Sequence, residues 1–265
     1  MKQIGFIGAG NMATAIIQGL IAQNGTAEAL AVFDTDAQKC RLMQDRGVGV
    51  YASAAALTRE SDIIVLAVKP QNYAEVLQAV KAEANLSKTF VSIAAGISID
   101  YVRQALGCAC PVVRVMPNTP LLLKKGATAL CPSDGLADAD RELVYRMFAG
   151  SGVCEYISEE HMNEIIAVNG SSPAYIYLFA KAMADYAEGC GIDRAQAMHL
   201  ICAALEGSAA MLRDSGDSPD VLIQKVSSKG GTTIAALDKL REHGFYEAIL
   251  DAMDACTKRA GELAQ

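Results

Sequence analysis

The chain has 265 residues, of which 52% are hydrophobic and 20% charged, so it has the length and apolar content for one large or two modest folded domains. This composition excludes an intrinsically disordered protein. The formal net charge of -7 at pH 7 argues against nucleic acid or an anionic membrane surface as a partner.

The first half of the chain alternates short β-branched runs with segments of helical periodicity. The runs predict strands at Gln3–Ile7, Leu30–Phe33, Ile63–Val68, Thr89–Ile93, Val112–Met116 and Ala127–Leu130. The intervening predicted helices include Asn11–Gln23 and Gln71–Glu83. Strands that are apolar at nearly every position are buried on both faces, which is typical of a parallel sheet covered by helices. The pattern therefore predicts a doubly wound α/β domain.

The first predicted strand leads into a glycine-rich loop at the start of a helix, Gly8-Ala9-Gly10-Asn11-Met12-Ala13. The first glycine allows a tight turn, the second lets the backbone approach a pyrophosphate, and the small Ala13 permits close packing of helix and strand. The free N–H groups at the helix start favour phosphates. This context predicts a Rossmann-like dinucleotide site. Its predicted cofactor-binding residues are Gly8, Ala9, Gly10, Asn11 and Met12.

Further candidates lie at the carboxyl ends of later strands, where ligands of open α/β sheets bind. Asp34 stands where an acid binds the ribose hydroxyls of NAD and repels the phosphate of NADP; the alternative is that it only caps the following helix. Lys69 is expected to contact phosphate or the nicotinamide ribose, or else to be a solvated loop lysine. The predicted cofactor residues at these ends are Asp34, Ala67, Val68, Lys69, Pro70, Ala94, Ala95 and Gly96.

From about Ser158 the strand-like runs end and long helical segments follow. The predicted helices are Glu159–Val168, Pro173–Cys190, Arg194–Asp214, Pro219–Val226, Thr232–His243 and Phe245–Glu262. We therefore expect a domain boundary near residue 157, with a Rossmann-like domain over residues 1–157 and an all-α domain over residues 158–265.

The segment Pro173–Cys190 is apolar around most of its circumference. Its only charges are Lys181, Asp185 and Glu188, whose spacing puts them on one helix face. Such a helix must be buried, yet a domain of about 105 residues has little interior to hide it. It is either the central helix of the domain core or, as we favour, it is buried against a second copy of the chain.

A second glycine-rich turn, Ser228-Lys229-Gly230-Gly231-Thr232-Thr233, precedes another predicted helix. Its glycines would expose backbone N–H groups at the helix start, which is an arrangement that binds anions. A threonine hydroxyl beside them can donate or accept a hydrogen bond. The alternative is a capped helix start with no ligand.

Six motifs, in chain order, resemble those of the pyrroline-5-carboxylate reductases. They are "GFIGAGNMA", "AVKPQ", "SIAAGI", "VRVMPNTP", "NGSSPAY" and "VSSKGGTT". The resemblance covers essentially the whole chain, and the last three motifs are specific to that family. It implies hydride transfer from NADPH or NADH to the C=N carbon of 1-pyrroline-5-carboxylate, giving L-proline in the final step of proline biosynthesis. It also implies an all-α C-terminal domain that interlocks in a homodimer, which is in some members assembled into larger rings.

The resemblance assigns the second glycine-rich turn to the substrate. Its implied substrate-binding residues are Ser228, Gly230, Gly231, Thr232 and Thr233. The Thr233 hydroxyl would meet the ring nitrogen and act as the catalytic group. The reaction requires the ring carbon about 3–3.5 Å from the nicotinamide, and Asn118 is expected to line the cleft there, or else only to stabilise an irregular segment. Two positions depart from the family: Lys229 replaces its usual proline, and Asp34 conflicts with its common use of NADPH.

Two other functions compete with this interpretation. A β-hydroxyacid dehydrogenase would carry a catalytic lysine at the start of the helix in "NGSSPAYIYLFAK", where no lysine occurs before Lys181. A non-catalytic nicotinamide sensor or scaffold would not need a second anion site.

The cysteines and histidines predict no metal site. The eight cysteines are scattered through apolar segments without a C-x-x-C pair, and the three histidines lie far apart and are expected to be structural. Reduced thiols indicate a cytoplasmic protein. The N-terminal apolar run is too short for a signal peptide, and no stretch of about 18 uncharged apolar residues is present, so no membrane association is expected.

Overall fold

The computed structural model describes residues 2–263 and divides the chain into two compact units. The first unit contains the chain up to Ser171 together with the segment from Asp254 onward. The second unit is the continuous segment Ser172–Met253.

Among the described residues, an eight-stranded sheet forms the centre of the first unit. Its strands are β1 (Ile4–Ile7), β2 (Leu30–Phe33), β3 (Gly49–Val50), β4 (Ile63–Leu66), β5 (Thr89–Ser92), β6 (Val112–Met116), β7 (Gly126–Pro132) and β8 (Gly152–Tyr156). The spatial order is β3-β2-β1-β4-β5-β6-β7-β8, so the chain changes direction across the sheet between β1 and β4. Such a switch point is where open α/β sheets bind their ligands.

Helices cover both faces of this sheet. They are α1 (Asn11–Asn24), α2 (Ala37–Gln44), α3 (Ala54–Glu60), α4 (Tyr73–Val80), α5 (Ile99–Leu106) and α6 (Asp138–Ala149). One apolar core joins α1, α2 and α6 to one face of the strands. A second core joins α3, α4 and α5 to the other face. The predicted doubly wound architecture is confirmed.

The prediction of a parallel sheet is wrong for the last two strands. β7 runs antiparallel to β6, with Val113 opposite Pro132, and β8 runs parallel to β7. A parallel return from β6 would need a crossover of about a dozen residues or more. The chain instead turns back through a short 3-10 helix at Thr119–Leu123, so β7 reverses direction.

The predicted helix Glu159–Val168 is also wrong. The chain forms a 3-10 turn at Glu159–His161 and a π-helical turn at Ile166–Gly170. The reason lies in side chains that bind this segment to the sheet. The guanidinium of the buried Arg114 on β6 contacts the Glu159 carboxylate at 3.1 Å and donates to the Asn163 amide oxygen at 2.6 Å.

These contacts explain why the first unit extends to Ser171, beyond the predicted boundary near residue 157. Residues 158–171 are held on the sheet by polar side chains, and Met162 joins the apolar core on one face of the sheet. Composition marks where strands stop, but it does not mark where packing on the sheet stops.

The second unit is helical, as predicted. Its helices are α7 (Ser172–Gly189), α8 (Arg194–Asp214), α9 (Pro219–Lys225), α10 (Thr232–Glu242) and the start of α11 (Phe245–Leu263). All five agree with the predicted bounds to within one residue. α7 packs on α8 through small side chains such as Ala180, Ala184 and Ala197. The charges of α7 share one face, because Asp185 and Glu188 both accept from Arg194.

The apolar surface of α7 and α8 is largely exposed in the single chain. Tyr177, Leu178 and Tyr186 are 62%, 68% and 75% exposed, so α7 is not the central core helix that one alternative proposed. α8 is long and apolar enough to cross a membrane by length and composition alone, with 11% of its most apolar stretch buried.

Candidate functional site

The glycine-rich loop after β1 has the geometry of an anion site. Gly8 has a φ of 103°, and a Cβ atom there would lie 2.5 Å from the Ala67 carbonyl oxygen, so only glycine fits against the end of β4. Gly10 is the N-cap of α1 and receives no side-chain cap. A Cβ on Gly10 would meet nothing within 4 Å, so the space in front of it is open. The first N–H groups of α1 are therefore available to a phosphate.

Asp34, at the end of β2, holds this loop in place. Its Oδ2 accepts from the backbone N–H of Ala9 at 2.7 Å, and its Oδ1 accepts from the N–H of Asp36 at 2.8 Å. The Lys39 ammonium lies 3.8 Å from the same carboxylate. The side chain that caps α2 is Asp36, so the alternative that Asp34 serves only as a helix cap is wrong.

One cavity of about 430 Å³ collects part of the predicted cofactor site. The predicted residues that line it are Gly8, Gly10, Asp34, Ala67, Val68 and Lys69. Sequence analysis had not assigned Thr35, Asn72 and Glu75, which also line it. Thr35 directly follows Asp34, and Asn72 and Glu75 begin the helical segment after "AVKPQ", so proximity to the two motifs was the signal that could have found them.

The loop that follows β5 lies outside this cavity. It contains the predicted residues Ala94, Ala95 and Gly96 at the carboxyl end of the strand, two strands from β1. Pro70 likewise does not line the cavity and begins a 3-10 turn. The remaining predicted loop residues, Ala9, Asn11 and Met12, lie behind Gly8 or within the first turn of α1.

Asn118 uses its side chain to fix the irregular segment after β6. Its Nδ2 donates to the Asn169 carbonyl oxygen at 3.1 Å, and its Oδ1 accepts from the Ala127 N–H at 2.9 Å. Asn169 in turn donates to the carbonyl oxygens of Met116 and Ala127, each at 3.0 Å. The two amides join "MPNTP" to "NGSSPAY", which supports the alternative that Asn118 stabilises this segment.

A buried tyrosine, which sequence analysis missed, connects the ends of β4 and β5. The Tyr73 hydroxyl donates to the Leu66 carbonyl oxygen at 2.8 Å and lies 3.1 Å from the Ser92 hydroxyl. Burial raises the pKa of Tyr73 well above its usual value, and the hydrogen bond with Ser92 offsets part of that rise. The phenol is therefore neutral and acts as a structural link under two predicted cofactor loops.

The second glycine-rich turn also leads into an uncapped helix. Gly231 is the N-cap of α10 without a side-chain hydrogen bond, and Gly230 has a φ of 74°. A Cβ on Gly231 would lie 2.9 Å from the Ser228 carbonyl oxygen, so the backbone of the turn leaves little room for any residue other than glycine there. Thr232 and Thr233 are the first two residues of α10. The N–H groups of this helix start are thus as available to an anion as those of α1.

Comparisons with known proteins agree with this arrangement. The family model described as pyrroline-5-carboxylate reductase dimerisation matches residues 159–263, and the model described as NADP oxidoreductase coenzyme F420-dependent matches residues 3–96. A pyrroline-5-carboxylate reductase of Escherichia coli (strain K12) is 38% identical in an alignment of 266 positions that covers 100% of this chain and 99% of the relative. The chain belongs to the pyrroline-5-carboxylate reductase family. An Arabidopsis thaliana relative of the same name is 31% identical and covers 99% of this chain and 96% of its own.

Solved structures support the same assignment. A Plasmodium falciparum pyrroline carboxylate reductase with NADP bound aligns with a TM-score of 0.91 at 28% identity, covering 100% of this chain and 98% of its own. A pyrroline-5-carboxylate reductase from Coxiella burnetii gives a TM-score of 0.88 at 32% identity, with 100% and 99% covered. Family membership makes the chain an NAD(P)H-dependent oxidoreductase, and the two competing functions do not apply.

Proposed function

We propose that the chain transfers a hydride from NADPH or NADH to the C=N carbon of 1-pyrroline-5-carboxylate and forms L-proline, the final step of proline biosynthesis. The observation that carries this proposal is a pair of uncapped, glycine-led helix starts, α1 behind Gly10 and α10 behind Gly231, in a chain of this family. One anion site suits a dinucleotide, and the other suits a substrate with a carboxylate.

The cofactor site is proposed to run from β2 across β1 to β5. The pyrophosphate would bind the N–H groups behind Gly8 and Gly10, and the adjacent ribose would bind near Asp34. Lys39, beside that carboxylate, supplies a positive charge for a 2′-phosphate, so we expect both cofactors to be used. When bound, the reduced nicotinamide supplies the hydride. We assign Asn118 the role of holding the segment after β6 beside the nicotinamide ring.

The substrate site is proposed to be the start of α10. Backbone N–H groups behind Gly230 and Gly231 hold the carboxylate, and the Thr233 hydroxyl binds the ring nitrogen. A protonated cyclic imine is already electrophilic, so these residues need to orient the ring and stabilise its charge rather than supply a strong acid. The described residues contain no group of three or more metal-binding side chains.

The active form is proposed to be a homodimer. α7, α10 and α11 of the second unit surround an open apolar groove of about 930 Å³, lined by residues such as Leu178, Phe179, Leu240 and Phe245. An exposed apolar groove of this kind marks an interaction surface, and we assign it to a second copy of the chain. The family model that matches this part of the chain is named for dimerisation. We also place the protein in the cytoplasm, since its cysteines are free thiols.

The experiment is a cofactor-oxidation assay at 340 nm with purified protein. NADPH or NADH should be consumed only when 1-pyrroline-5-carboxylate is added. The Thr233→Val variant removes one hydroxyl; because a hydrogen bond to a charged group contributes roughly 1.5–3 kcal/mol, kcat/KM should fall about ten- to a hundredfold. NADPH binding should not change.

The matched control is Thr26→Val, in the connection between α1 and β2, which should behave as wild type. Near-normal imine reduction by Thr233→Val, or an equal loss of NADPH binding, would show that this turn does not hold the substrate.

A further inference from the structure

Nearly three turns at the end of α11, from Asp254 onward, belong to the first unit, although the helix begins in the second. Within these turns Cys256, Ala260 and Leu263 are spaced by four and three residues, so they lie on one face of the helix. Ala260 is 3% exposed, whereas Ala255 on the same helix is exposed. One face of the end of α11 is therefore packed against the first unit.

That face packs directly on the loop after β5. Gly96 has a φ of 80°, and a Cβ added to it would lie 2.5 Å from the Ala260 carbonyl oxygen and 3.2 Å from the Leu263 Cβ. The backbone of the loop thus meets the Ala260 carbonyl and the Leu263 side chain of the helix, which leaves no room for the loop to move toward α11. One turn earlier, the Cys256 thiol lies 3.3 Å from the hydroxyl of Ser171, in the "NGSSPAY" motif.

The position of this loop on the sheet gives the contact a functional meaning. The strand order places β2 and β4 on opposite sides of β1. If the pyrophosphate lies over Gly10 and the adenosine ribose lies at Asp34 on β2, the other half of the dinucleotide extends over the ends of β4 and β5. The loop at Ala94–Gly96 is then the backbone that meets the nicotinamide end. This step depends on the proposed function.

We propose that Ala260 and Leu263 are positioning residues for the nicotinamide. The last turn of α11 packs behind the loop and thereby sets the distance between the loop and the nicotinamide ring. Hydride transfer depends steeply on such placement, and a shift of about 1 Å can cost roughly a hundredfold in rate. Neither residue touches the reacting atoms; each acts through Gly96.

The test compares Ala260→Leu with Ala255→Leu, the same substitution on the same helix at a buried and an exposed position. The measurements are kcat and the affinities, by calorimetry, for NADPH and for 2′-phospho-ADP-ribose, which lacks the nicotinamide. For Ala260→Leu we expect kcat to fall tenfold or more and NADPH affinity to fall severalfold. Affinity for the nucleotide fragment should stay within twofold of wild type, because the fragment depends on Gly10 and not on Gly96. Ala255→Leu should match wild type in all three.

Folded Ala260→Leu protein with unchanged kcat and NADPH affinity would overturn the proposal, as would an equal loss of affinity for the fragment. If Ala260→Leu does not fold, Leu263→Gly removes the Cβ nearest Gly96 at the very end of α11, where folding is hardly affected. That variant should lose about three- to fivefold in kcat with unchanged fragment affinity, and a wild-type kcat would refute the idea. The two binding measurements need no imine, so a failure of the proposed substrate would not be mistaken for a failure of this inference.

Discussion

Replacement of Tyr73 by phenylalanine tests how the ends of β4 and β5 are held. The ring is completely buried, and its hydroxyl bonds both the Leu66 carbonyl and the Ser92 hydroxyl. Phenylalanine fills the same space but leaves the Leu66 carbonyl with only the Ile93 N–H, at 3.5 Å. A buried polar group that loses its partner costs about 1–3 kcal/mol. At roughly 2–4 °C per kcal/mol for a domain of this size, the melting temperature should fall by about 2–12 °C.

The same change should alter cofactor binding, because β4 and β5 lead into the two loops proposed to hold the nicotinamide half. We expect a rise of a few-fold in the KM for NADPH. The assays are thermal denaturation at fixed protein concentration and steady-state kinetics, since association makes the melting temperature concentration-dependent. Tyr101→Phe is the control: its side chain is partly exposed, and its hydroxyl makes no hydrogen bond to the described residues. A Tyr73→Phe variant that melts and binds NADPH like this control would refute the reasoning.

Three further predictions concern charge, backbone strain and thiol chemistry. Asp34→Ser removes a carboxylate beside the proposed ribose site, together with the acceptor of the Ala9 N–H. It should weaken the binding of both cofactors and raise the ratio of kcat/KM for NADPH to that for NADH. An unchanged ratio would mean that Asp34 only holds the glycine-rich loop in place. Lys124 has a φ of 57°, a left-handed conformation that asparagine adopts more readily, so Lys124→Asn should raise the unfolding free energy by about 0.5–1 kcal/mol in thermal melts, and a lower melting temperature would contradict this. Burial, and then the nearby Glu159, raise the pKa of the Cys131 thiol to about 12, so iodoacetamide at pH 8 should modify it only after unfolding. Because the thiol stays neutral in the folded state, it contributes fully to the free energy of unfolding below about pH 9, and this contribution is lost as the pH rises toward 12. Urea denaturation should show the free energy of unfolding falling with pH over this range, and the fall should be smaller for Cys131→Ala.

Sequence periodicity predicted the strands that are buried on both faces and the long helices. β2 and β6 have the predicted bounds, and the helices of the second unit agree within one residue. β3 and β8 were missed because β3 is two exposed residues long and β8 is mostly exposed, so neither has the continuous apolar run of a buried strand. The direction of β7 depends on the length of its connection rather than on its own residues.

The candidate site was predictable where chemistry is local in sequence. Both glycine-rich turns lie at helix starts, as their motifs indicated. Contacts across the sheet were not predictable: the bond from Asp34 to the Ala9 N–H joins two loops, and Tyr73 reads as an ordinary core residue until its hydroxyl is seen between two strands. The match of "SIAAGI" to the family likewise gave no sign that Gly96 packs on the end of α11.

The discontinuity of the first unit makes the second unit an insertion. The chain leaves the first unit after Ser171 and returns at Asp254, and the contact between Ser171 and Cys256 shows that these two points are neighbours. Segments whose ends meet can be exchanged, shortened or removed without opening the scaffold that carries them. A few glycine and serine residues span the distance between such ends. The helical segment Ser172–Met253 can therefore be replaced by another segment while the nucleotide-binding sheet, with the end of α11 packed on it, stays intact.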